Sequence, residues 1–156
     1  MKVRDIMTPN PIVCIADDSA LDAAFQMKIH SIGSLPVVSG ITTRRLVGMV
    51  TDRDLCMAVI ARGFQPQGVF VRSAMTRDPI ACGPEATLEY CAQLMEHAQV
   101  RRIPVIDKRG AVVGIVAQAD LVKHANPELL LSTLCGISED RLEKGAVTEV
   151  EAIAGT

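Results

Sequence analysis

Residues 48–54, with the sequence Gly-Met-Val-Thr-Asp-Arg-Asp, carry side chains that could bind a sugar phosphate. Gly48 would allow a backbone or a ligand to approach closely, and Thr51 with the free N–H groups of a following helix could accept a phosphate. Asp54 could accept charge-assisted hydrogen bonds from both hydroxyls of a ribose. The same Thr-x-x-Asp spacing also describes a capping box, in which Asp54 folds back onto its own helix. The spacing leaves both interpretations open.

Two adjacent cations, Arg101 and Arg102, stand directly before the apolar run Ile-Pro-Val-Ile. Charges next to a buried strand are costly unless water solvates them or an anion matches them. A surface position is enough to explain one arginine. For the two arginines together, contact with a phosphate is the alternative to a solvated surface position.

The sequence predicts neither a catalytic site nor a metal site. The 5 cysteines include no Cys-x-x-Cys pair, and the 3 histidines stand at no metal-ligand spacing from them. No nucleophile–base pair or paired carboxylate has a coherent spacing, and Asp17-Asp18 is better explained as a helix cap. We therefore expect a protein that is not an enzyme, with its thiols buried in a reducing compartment.

An internal duplication must position the candidate residues. At a shift of 68, residues 3–36 lie over residues 71–104 without a gap, and ten of 34 positions are identical. The match resumes at a shift of 66, where Val47-Gly48 lies over Val113-Gly114 and Asp54-Leu55 over Asp120-Leu121. The chain is therefore built from two copies of one unit.

The second copy changes the candidate motif. Its segment at 114–120 reads Gly-Ile-Val-Ala-Gln-Ala-Asp, so Ala117 replaces Thr51 while Asp120 remains. The reciprocal cap is lost with the threonine, which favours a role for the carboxylate outside the cap. A carboxylate near a helix start is also favoured by the helix dipole, so the alternatives stay balanced.

Each copy is predicted to fold as β-α-β-β-α. The signals are short apolar runs for strands, capping side chains such as Ser19, and apolar residues at helical spacing such as Ala20, Ala23, Ala24 and Met27. The predicted elements are a strand at 12–15, a helix from Ser19, strands at 35–38 and 46–50, and a helix from Thr51 to about Arg62; then a strand near Ile80, a helix at 87–98, strands at 103–106 and 111–116, and a helix at 118–125. Asn126-Pro127 should open a further helix through Leu134, and the polar tail from Gly136 should be loosely packed or disordered.

The predicted fold class is α+β, with two β-α-β-β-α repeats packed in pseudo-twofold symmetry. We assign residues 1–63 to the first repeat, 64–70 to a linker, 71–126 to the second repeat, and 127–156 to a C-terminal helix and polar tail. One repeat alone has too little interior to be stable. The two should therefore pack their sheets together and leave a symmetric cleft between equivalent strands.

Composition excludes several classes of partner. The net charge is −2 and aromatic residues make up 3%, which argues against a nucleic-acid surface. Apolar stretches such as residues 111–117 reach seven residues, whereas a membrane-spanning helix needs about twenty. The amino terminus, Met-Lys-Val-Arg-Asp, leads into no apolar signal region, so we expect a cytoplasmic protein with no membrane partner.

The repeats resemble the CBS-domain family, and the chain is similar to a stand-alone bacterial tandem pair, or Bateman module. The resemblance covers about residues 3–125 and rests on the order and spacing of several motifs. They are Val-Arg-Asp-Ile-Met-Thr-Pro-Asn-Pro at the start, Leu35-Pro36-Val37-Val38, Ile103-Pro104-Val105-Ile106-Asp107, and Gly-x-x-Thr-Asp-Arg-Asp-Leu. It implies a regulatory module that binds AMP, ADP, ATP, NAD(H) or S-adenosylmethionine between its repeats and dimerises through its helices into a flat disc.

The resemblance also implies which residues would bind the ligand. The family's Ser/Thr-x-x-Asp ribose–phosphate motif falls on Thr51 and Asp54, and in the second repeat on Asp120 alone. Arg102 matches a position that often reaches phosphates. The family's adenine-contacting positions fall on Ile12, Ile32, Gly33, Ile80, Val100 and Arg101. The resemblance implies two composite sites, one with Asp54 beside Ile80 and Val100 and one with Asp120 beside Ile12 and Ile32. The first site is favoured, because Thr51 and the arginine pair would add to its ligand contacts.

The leading functional hypothesis is a sensor of adenine nucleotides that requires no cofactor. Its partners would be the nucleotide, a second copy of the chain in a homodimer, and an unidentified effector protein. The alternative is a ligand-independent dimerisation scaffold, in which the motif residues are helix caps and solvated charges. The two differ in whether any nucleotide raises the melting temperature.

Overall fold

The computed structural model describes residues 1–138. Its strands are β1 (Thr8–Pro9), β2 (Cys14–Ile15), β3 (Ser34–Val38), β4 (Leu46–Thr51), β5 (Thr76–Arg77), β6 (Arg102–Ile106) and β7 (Val112–Ala117). Its helices are α1 (Ala20–His30), α2 (Asp52–Leu55), α3 (Leu88–Ala98), α4 (Gln118–His124) and α5 (Pro127–Ser138). None of these helices is long and apolar enough to cross a membrane.

Equivalent residues cap the first helix of each repeat. Ser19 Oγ accepts a hydrogen bond from the Asp22 N–H at 3.0 Å, and Thr87 Oγ1 accepts one from the Tyr90 N–H at 3.2 Å. A hydroxyl at this position satisfies one of the helix's free N–H groups, which fixes where the helix begins. Both helices therefore start where their capping residues predicted.

The described strands form two sheets, one centred on each repeat. The first has the order β2-β3-β4-β5, with β2 parallel to β3 and the other pairs antiparallel. The second has the order β6-β7-β1, with all pairs antiparallel. The equivalent of β2 in the second repeat is a single parallel bridge between Cys82 and Val105.

Each repeat completes its sheet with a strand from the other repeat. β1 pairs with β7, with Thr8 opposite Ile115, and β5 pairs with β4, with Thr76 opposite Met49. The exchange extends into the two hydrophobic cores, because Val3 packs in the second core and Val71 in the first. Since both valines are fully buried, the two repeats share their cores rather than merely touching.

Ion pairs related by the repeat hold the exchanged segments. Arg4 pairs with Glu85 of the second repeat, and the equivalent Arg72 pairs with Asp17 of the first. The backbone follows the same symmetry: the Val3 N–H donates to the Ala86 carbonyl, and the Val71 N–H to the Asp18 carbonyl. These symmetry-related contacts confirm the predicted pseudo-twofold symmetry.

The glycine of the candidate motif makes room for the exchanged strand. A Cβ atom at Gly48 would lie 2.7 Å from Met75 Sδ and 3.0 Å from the Thr76 carbonyl oxygen. The equivalent Gly114 lies under Met7 in the same way. Of the two expected partners for Gly48, a backbone or a ligand, the structure shows the backbone, because the exchanged strand occupies that space.

Several predicted element bounds need correction. The first strand is shorter than predicted and leaves Ile12 outside it, and a bridge at Cys82 replaces the strand expected near Ile80. The helix expected to run from Thr51 to Arg62 is α2, which continues as a π-helical turn over Cys56–Ile60. Ala24 is exposed on α1, although its spacing placed it with the core residues.

Helix α5 also differs from its prediction. It begins at the expected cap, where Asn126 Oδ1 accepts a hydrogen bond from the Leu129 N–H at 2.8 Å. It runs past Leu134 to Ser138 against α3, with Gly136 buried against Glu96. The expectation of loose packing is therefore wrong at Gly136, because a glycine is what allows close approach there. The rest of the predicted tail, 139–156, lies outside the described residues.

The cysteines divide into two groups. Cys14, Cys82 and Cys91 are buried, whereas Cys56 and Cys135 are exposed on helical surfaces, contrary to the expectation of buried thiols throughout. Burial raises the pKa of the Cys14 thiol to about 12, with a smaller contribution from the negative charge of Asp18. The buried thiols pack as small hydrophobic groups.

Candidate functional site

Asp54 closes a capping box at the start of α2. Its Oδ2 accepts hydrogen bonds from the Thr51 N–H and the Thr51 hydroxyl, both at 2.8 Å, and the Asp54 N–H donates to Thr51 Oγ1 at 3.1 Å. Of the two interpretations that the spacing allowed, the structure adopts the cap. These bonds use Oδ2, and within residues 1–138 the second oxygen, Oδ1, has no hydrogen-bond partner. A role for Asp54 in ligand binding stays a prediction, restricted to Oδ1.

Asp120 keeps half of this arrangement at the start of α4. Its Oδ2 accepts a hydrogen bond from the Ala117 N–H at 2.8 Å, while the methyl group of Ala117 cannot supply the reciprocal bond. The retention of the carboxylate in the second repeat thus has a structural cause as well. Like Asp54, the half-buried Asp120 keeps its Oδ1 without a hydrogen bond from the described residues.

Arg102 reaches from the second repeat to the first. Its backbone lies on β6 opposite Ala117, directly before α4. Its guanidinium extends to Gly33, where an added Cβ atom would lie 3.3 Å from Arg102 Nη2 and 3.0 Å from Asp52 Oδ2. The Asp52 N–H in turn donates to the Gly33 carbonyl at 3.1 Å. One side chain therefore connects the starts of both helices, α2 and α4.

Neither arginine of the predicted pair forms an ion pair with the described residues, although Asp52 Oδ2 and Arg102 Nη2 both lie near the Cβ position of Gly33. Arg102 is half-buried and Arg101 is exposed, and neither has a carboxylate oxygen within 4.0 Å in the part of the chain that the structure describes. The Arg101 carbonyl accepts a hydrogen bond from the Gln118 N–H at 2.8 Å, which holds this turn against α4. An unpaired, partly desolvated guanidinium favours contact with an anion.

A pocket of about 330 Å³ lies beside these arginines. It is lined by Arg101, Arg102, Ala117, Gln118, Ala119 and Val122. The volume is at the small end of the range for small-molecule sites. Because its lining includes two arginines and no acidic residue, the pocket could accept an anionic group.

The favoured composite site stays a prediction. The arginine pair lines a pocket with Ala117 and Gln118 of the second repeat, and Thr51 and Asp54 are not among the residues that line it. Ile12, Ile32 and Ile80 are exposed, and Val100 is half-buried. These four side chains are accessible to a planar apolar ligand, and their contact with adenine stays a prediction.

Sequence reasoning missed Gln118, Ala119 and Val122 as pocket residues. The signal lay in the duplication, since Gln118 replaces the Asp52 of the first repeat and Ala119 replaces Arg53. The replacement of an acid by an amide at this position removes a negative charge from the start of α4. A comparison of the two helix starts for charge as well as for identity would have indicated this pocket.

Comparisons with known proteins agree with the repeat and the fold. The family model for the CBS domain matches residues 3–61 and 71–126. The uncharacterized protein YlbB of Bacillus subtilis is 37% identical over 146 residues, which cover 92% of this chain and 97% of that protein.

Two solved structures show what similar proteins bind. Arabidopsis thaliana CBSX2 in complex with AMP has a TM-score of 0.69 at 28% identity, over 80% of this chain and 95% of that one. The CBS domain pair of protein MJ0100, in complex with methylthioadenosine and S-adenosyl-L-methionine, has a TM-score of 0.68 at 27% identity, over 79% and 94%. With two matched repeats, exchanged strands and this shared architecture, the chain belongs to the CBS-domain family as a tandem pair.

Proposed function

We propose that this chain is a non-catalytic regulatory module that binds an adenine nucleotide between its repeats, beside Arg102. The observation that carries the proposal is the reach of Arg102 from β6 to the start of α2. A phosphate held by this guanidinium would contact both repeats at once. The CBSX2 complex with AMP supports the ligand class, because that protein shares the fold of this chain.

The charges of the pocket favour a phosphate-bearing ligand. Arg101 and Arg102 face a helix start at which Gln118 stands in place of an acid. A charge-assisted hydrogen bond between guanidinium and phosphate is about twice as strong as a neutral one. AMP, ADP, ATP and NAD(H) all meet this requirement.

In this proposal Asp120 binds the ribose. Its Oδ2 is fixed by the Ala117 N–H, so the carboxylate has a defined orientation and presents Oδ1 to a donor. Ala119, which lines the pocket, precedes it directly. We assign the ribose to Asp120 and the phosphate to Arg102, with Ile12 and Ile32 against the adenine. An equivalent site at Thr51 and Asp54, with Ile80 and Val100, would be the weaker of the two.

The regulatory effect would come from differential binding. A ligand that contacts Arg102 of one repeat and the Gly33 region of the other favours the relative orientation in which both contacts are made. That orientation changes the surface offered to an effector protein. The module would act as a homodimer, in which the two copies respond together.

Isothermal titration calorimetry with AMP, ADP, ATP, NADH and adenosine tests the proposal, with Asp120→Asn and Asp54→Asn as a matched pair of variants. We expect at least one nucleotide to bind more tightly than adenosine, and Asp120→Asn to weaken it more than Asp54→Asn. Equal losses in both variants would indicate two equivalent sites. If no nucleotide binds or raises the melting temperature, the chain is a ligand-independent scaffold.

A further inference from the structure

Two buried cysteines of the second repeat lie side by side. Cys82 forms the bridge to Val105, and Cys91 lies on α3. The Cys91 thiol donates a hydrogen bond to Cys82 Sγ, and both side chains belong to the second core. A disulfide requires two sulfur atoms to approach each other, and this contact already supplies most of that approach.

Backbone hydrogen bonds hold each cysteine in place. The Cys82 N–H donates to the Pro104 carbonyl at 3.2 Å, and the Cys82 carbonyl accepts from the Ile106 N–H at 2.9 Å. The Cys91 N–H donates to the Thr87 carbonyl at 3.1 Å, at the start of α3. The two sulfur atoms therefore meet between a helix and a bridge that are both fixed by their own backbone.

The first repeat has no such pair. Cys14 is equivalent to Cys82, but Ala23 stands where the second repeat has Cys91. All four residues are buried, so an alanine fits the equivalent helix position in a repeat of the same fold. The first repeat is therefore an internal reference for a buried cysteine without a partner thiol.

The hydrogen bond makes the two thiols chemically unequal. The bond from Cys91 lowers the pKa of Cys82, against the opposing effect of burial, whereas the same bond and burial raise the pKa of Cys91. Burial raises the pKa of Cys14, which has no such donor. Because the thiolate is the nucleophile, Cys82 is the sulfur that should react first.

Cys82 also lies closer to the surface than Cys91. Cys82 is 5% exposed, and Cys91 is fully buried. The next residue is Gly83, where an added Cβ atom would have no heavy atom within 4 Å apart from those of its chain neighbours. This open space gives a small molecule such as hydrogen peroxide an approach to Cys82.

We propose that Cys82 and Cys91 form an intramolecular disulfide when the chain meets hydrogen peroxide. The Cys82 thiolate attacks one peroxide oxygen, the O–O bond breaks, and the leaving hydroxide takes up a proton, which gives water and a sulfenic acid at Cys82. The Cys91 sulfur then attacks the Cys82 sulfur. The S–S bond forms, the S–O bond breaks, and the hydroxyl leaves as water with the Cys91 proton. The two thiols lose two electrons, which the peroxide accepts.

The disulfide would join α3 to the sheet of the second repeat. It would close a loop of ten residues, 82–91. Such a cross-link stabilises mainly by restricting the unfolded chain, and for a loop of this length the melting temperature should rise by about 5–10 °C. The site does not depend on the proposed nucleotide site, because neither cysteine is among the residues assigned to the ligand.

Peptide mass spectrometry of the full chain tests the site, in a background with Cys56→Ser and Cys135→Ser that removes the exposed thiols. Trypsin leaves both remaining cysteines of the second repeat in one peptide, 78–101, because no lysine or arginine lies between them. The chain is treated with hydrogen peroxide, and free thiols are then blocked with N-ethylmaleimide in denaturant. The peptide should be lighter by two hydrogen atoms and carry no maleimide, whereas Cys14 should remain a free thiol and be blocked.

Cys91→Ala is the matched variant, because it gives the second repeat the arrangement of Cys14 and Ala23. Peroxide should raise the melting temperature of the parent chain by the amount given above, and dithiothreitol should reverse the rise. Cys91→Ala should show no rise, and dimedone should trap its Cys82 as a sulfenic acid. Circular dichroism checks that the variant keeps the fold.

Three results would overturn the proposal. The first is that both thiols stay free at peroxide concentrations that oxidise Cys56 in the native chain. The second is that Cys82 pairs with a cysteine other than Cys91. The third is that the disulfide forms only after unfolding in urea, because the folded chain would then hold the two sulfur atoms apart.

Discussion

Replacement of Arg102 by alanine should weaken AMP binding and leave adenosine binding nearly unchanged. A charge-assisted hydrogen bond contributes about 1.5–3 kcal/mol. Because Arg102 is half-buried, solvent screening favours the lower part of that range. We therefore expect the AMP dissociation constant to rise about 10- to 30-fold. Arg102→Lys keeps the charge but loses the planar fork, so it should recover part of the affinity.

Calorimetry with AMP and adenosine measures this effect directly, and the thermal shift provides a check. At an AMP concentration a hundred times the native dissociation constant, ligand stabilisation is about 2.7 kcal/mol, and a tenfold loss of affinity lowers it to about 1.4 kcal/mol. Added salt should weaken AMP binding more in the native chain than in Arg102→Ala.

The matched control is Arg109→Ala, because Arg109 is an exposed arginine in the turn between β6 and β7. This variant should bind AMP as the native chain does. If Arg102→Ala binds AMP with native affinity, the phosphate lies elsewhere. If it weakens adenosine and AMP equally, Arg102 positions the base or the fold, and the assignment of the phosphate to it is wrong.

Two further predictions concern stability and reactivity. Hydrogen bonding to Lys2 and the charge of Arg4 lower the pKa of Glu85 below its ordinary value of 4.5. The stabilising effect of Glu85 should therefore be present above pH 4.5 and be lost as the pH falls through the lowered pKa. The melting temperatures of Glu85→Gln and the native chain should differ at pH 7 and converge in acid, and a constant difference would contradict this prediction. Iodoacetamide at pH 8 should label the exposed Cys56 and leave Cys14 unlabelled, because burial raises the pKa of the Cys14 thiol to about 12. Peptide mass spectrometry measures the labelling of both residues, and equal labelling would contradict this prediction.

The local elements of this fold could be predicted because their signals lie within a few residues of one another. Ser19 and Thr87 mark helix starts by their own hydroxyls, and the structure places α1 and α3 directly after them. The duplication added a second observation of each element. The pseudo-twofold arrangement followed from the physical need of two small repeats to share a core.

The exchange of strands could not be predicted in this way. β1 and β5 have two residues each, too few to produce an alternating pattern, and β1 pairs with a strand more than a hundred residues away in the chain. The sequence therefore left open whether a backbone or a ligand approaches Gly48, which makes room for Met75 and the exchanged strand. Only the packed structure decides which chain segment fills a space that a glycine leaves.

The candidate site shows the same difference between what the sequence and what the tertiary structure determine. The sequence by itself determined which side chains are candidates for ligand binding, including Asp54, Asp120 and the arginine pair, because residue type and repeat position are sufficient to select candidates. It did not determine that Asp54 caps its own helix, since a cap and a ribose site require the same spacing. The tertiary structure also decided that Arg102 crosses between the repeats and that the pocket lies at α4, because side-chain direction depends on neighbours distant in sequence.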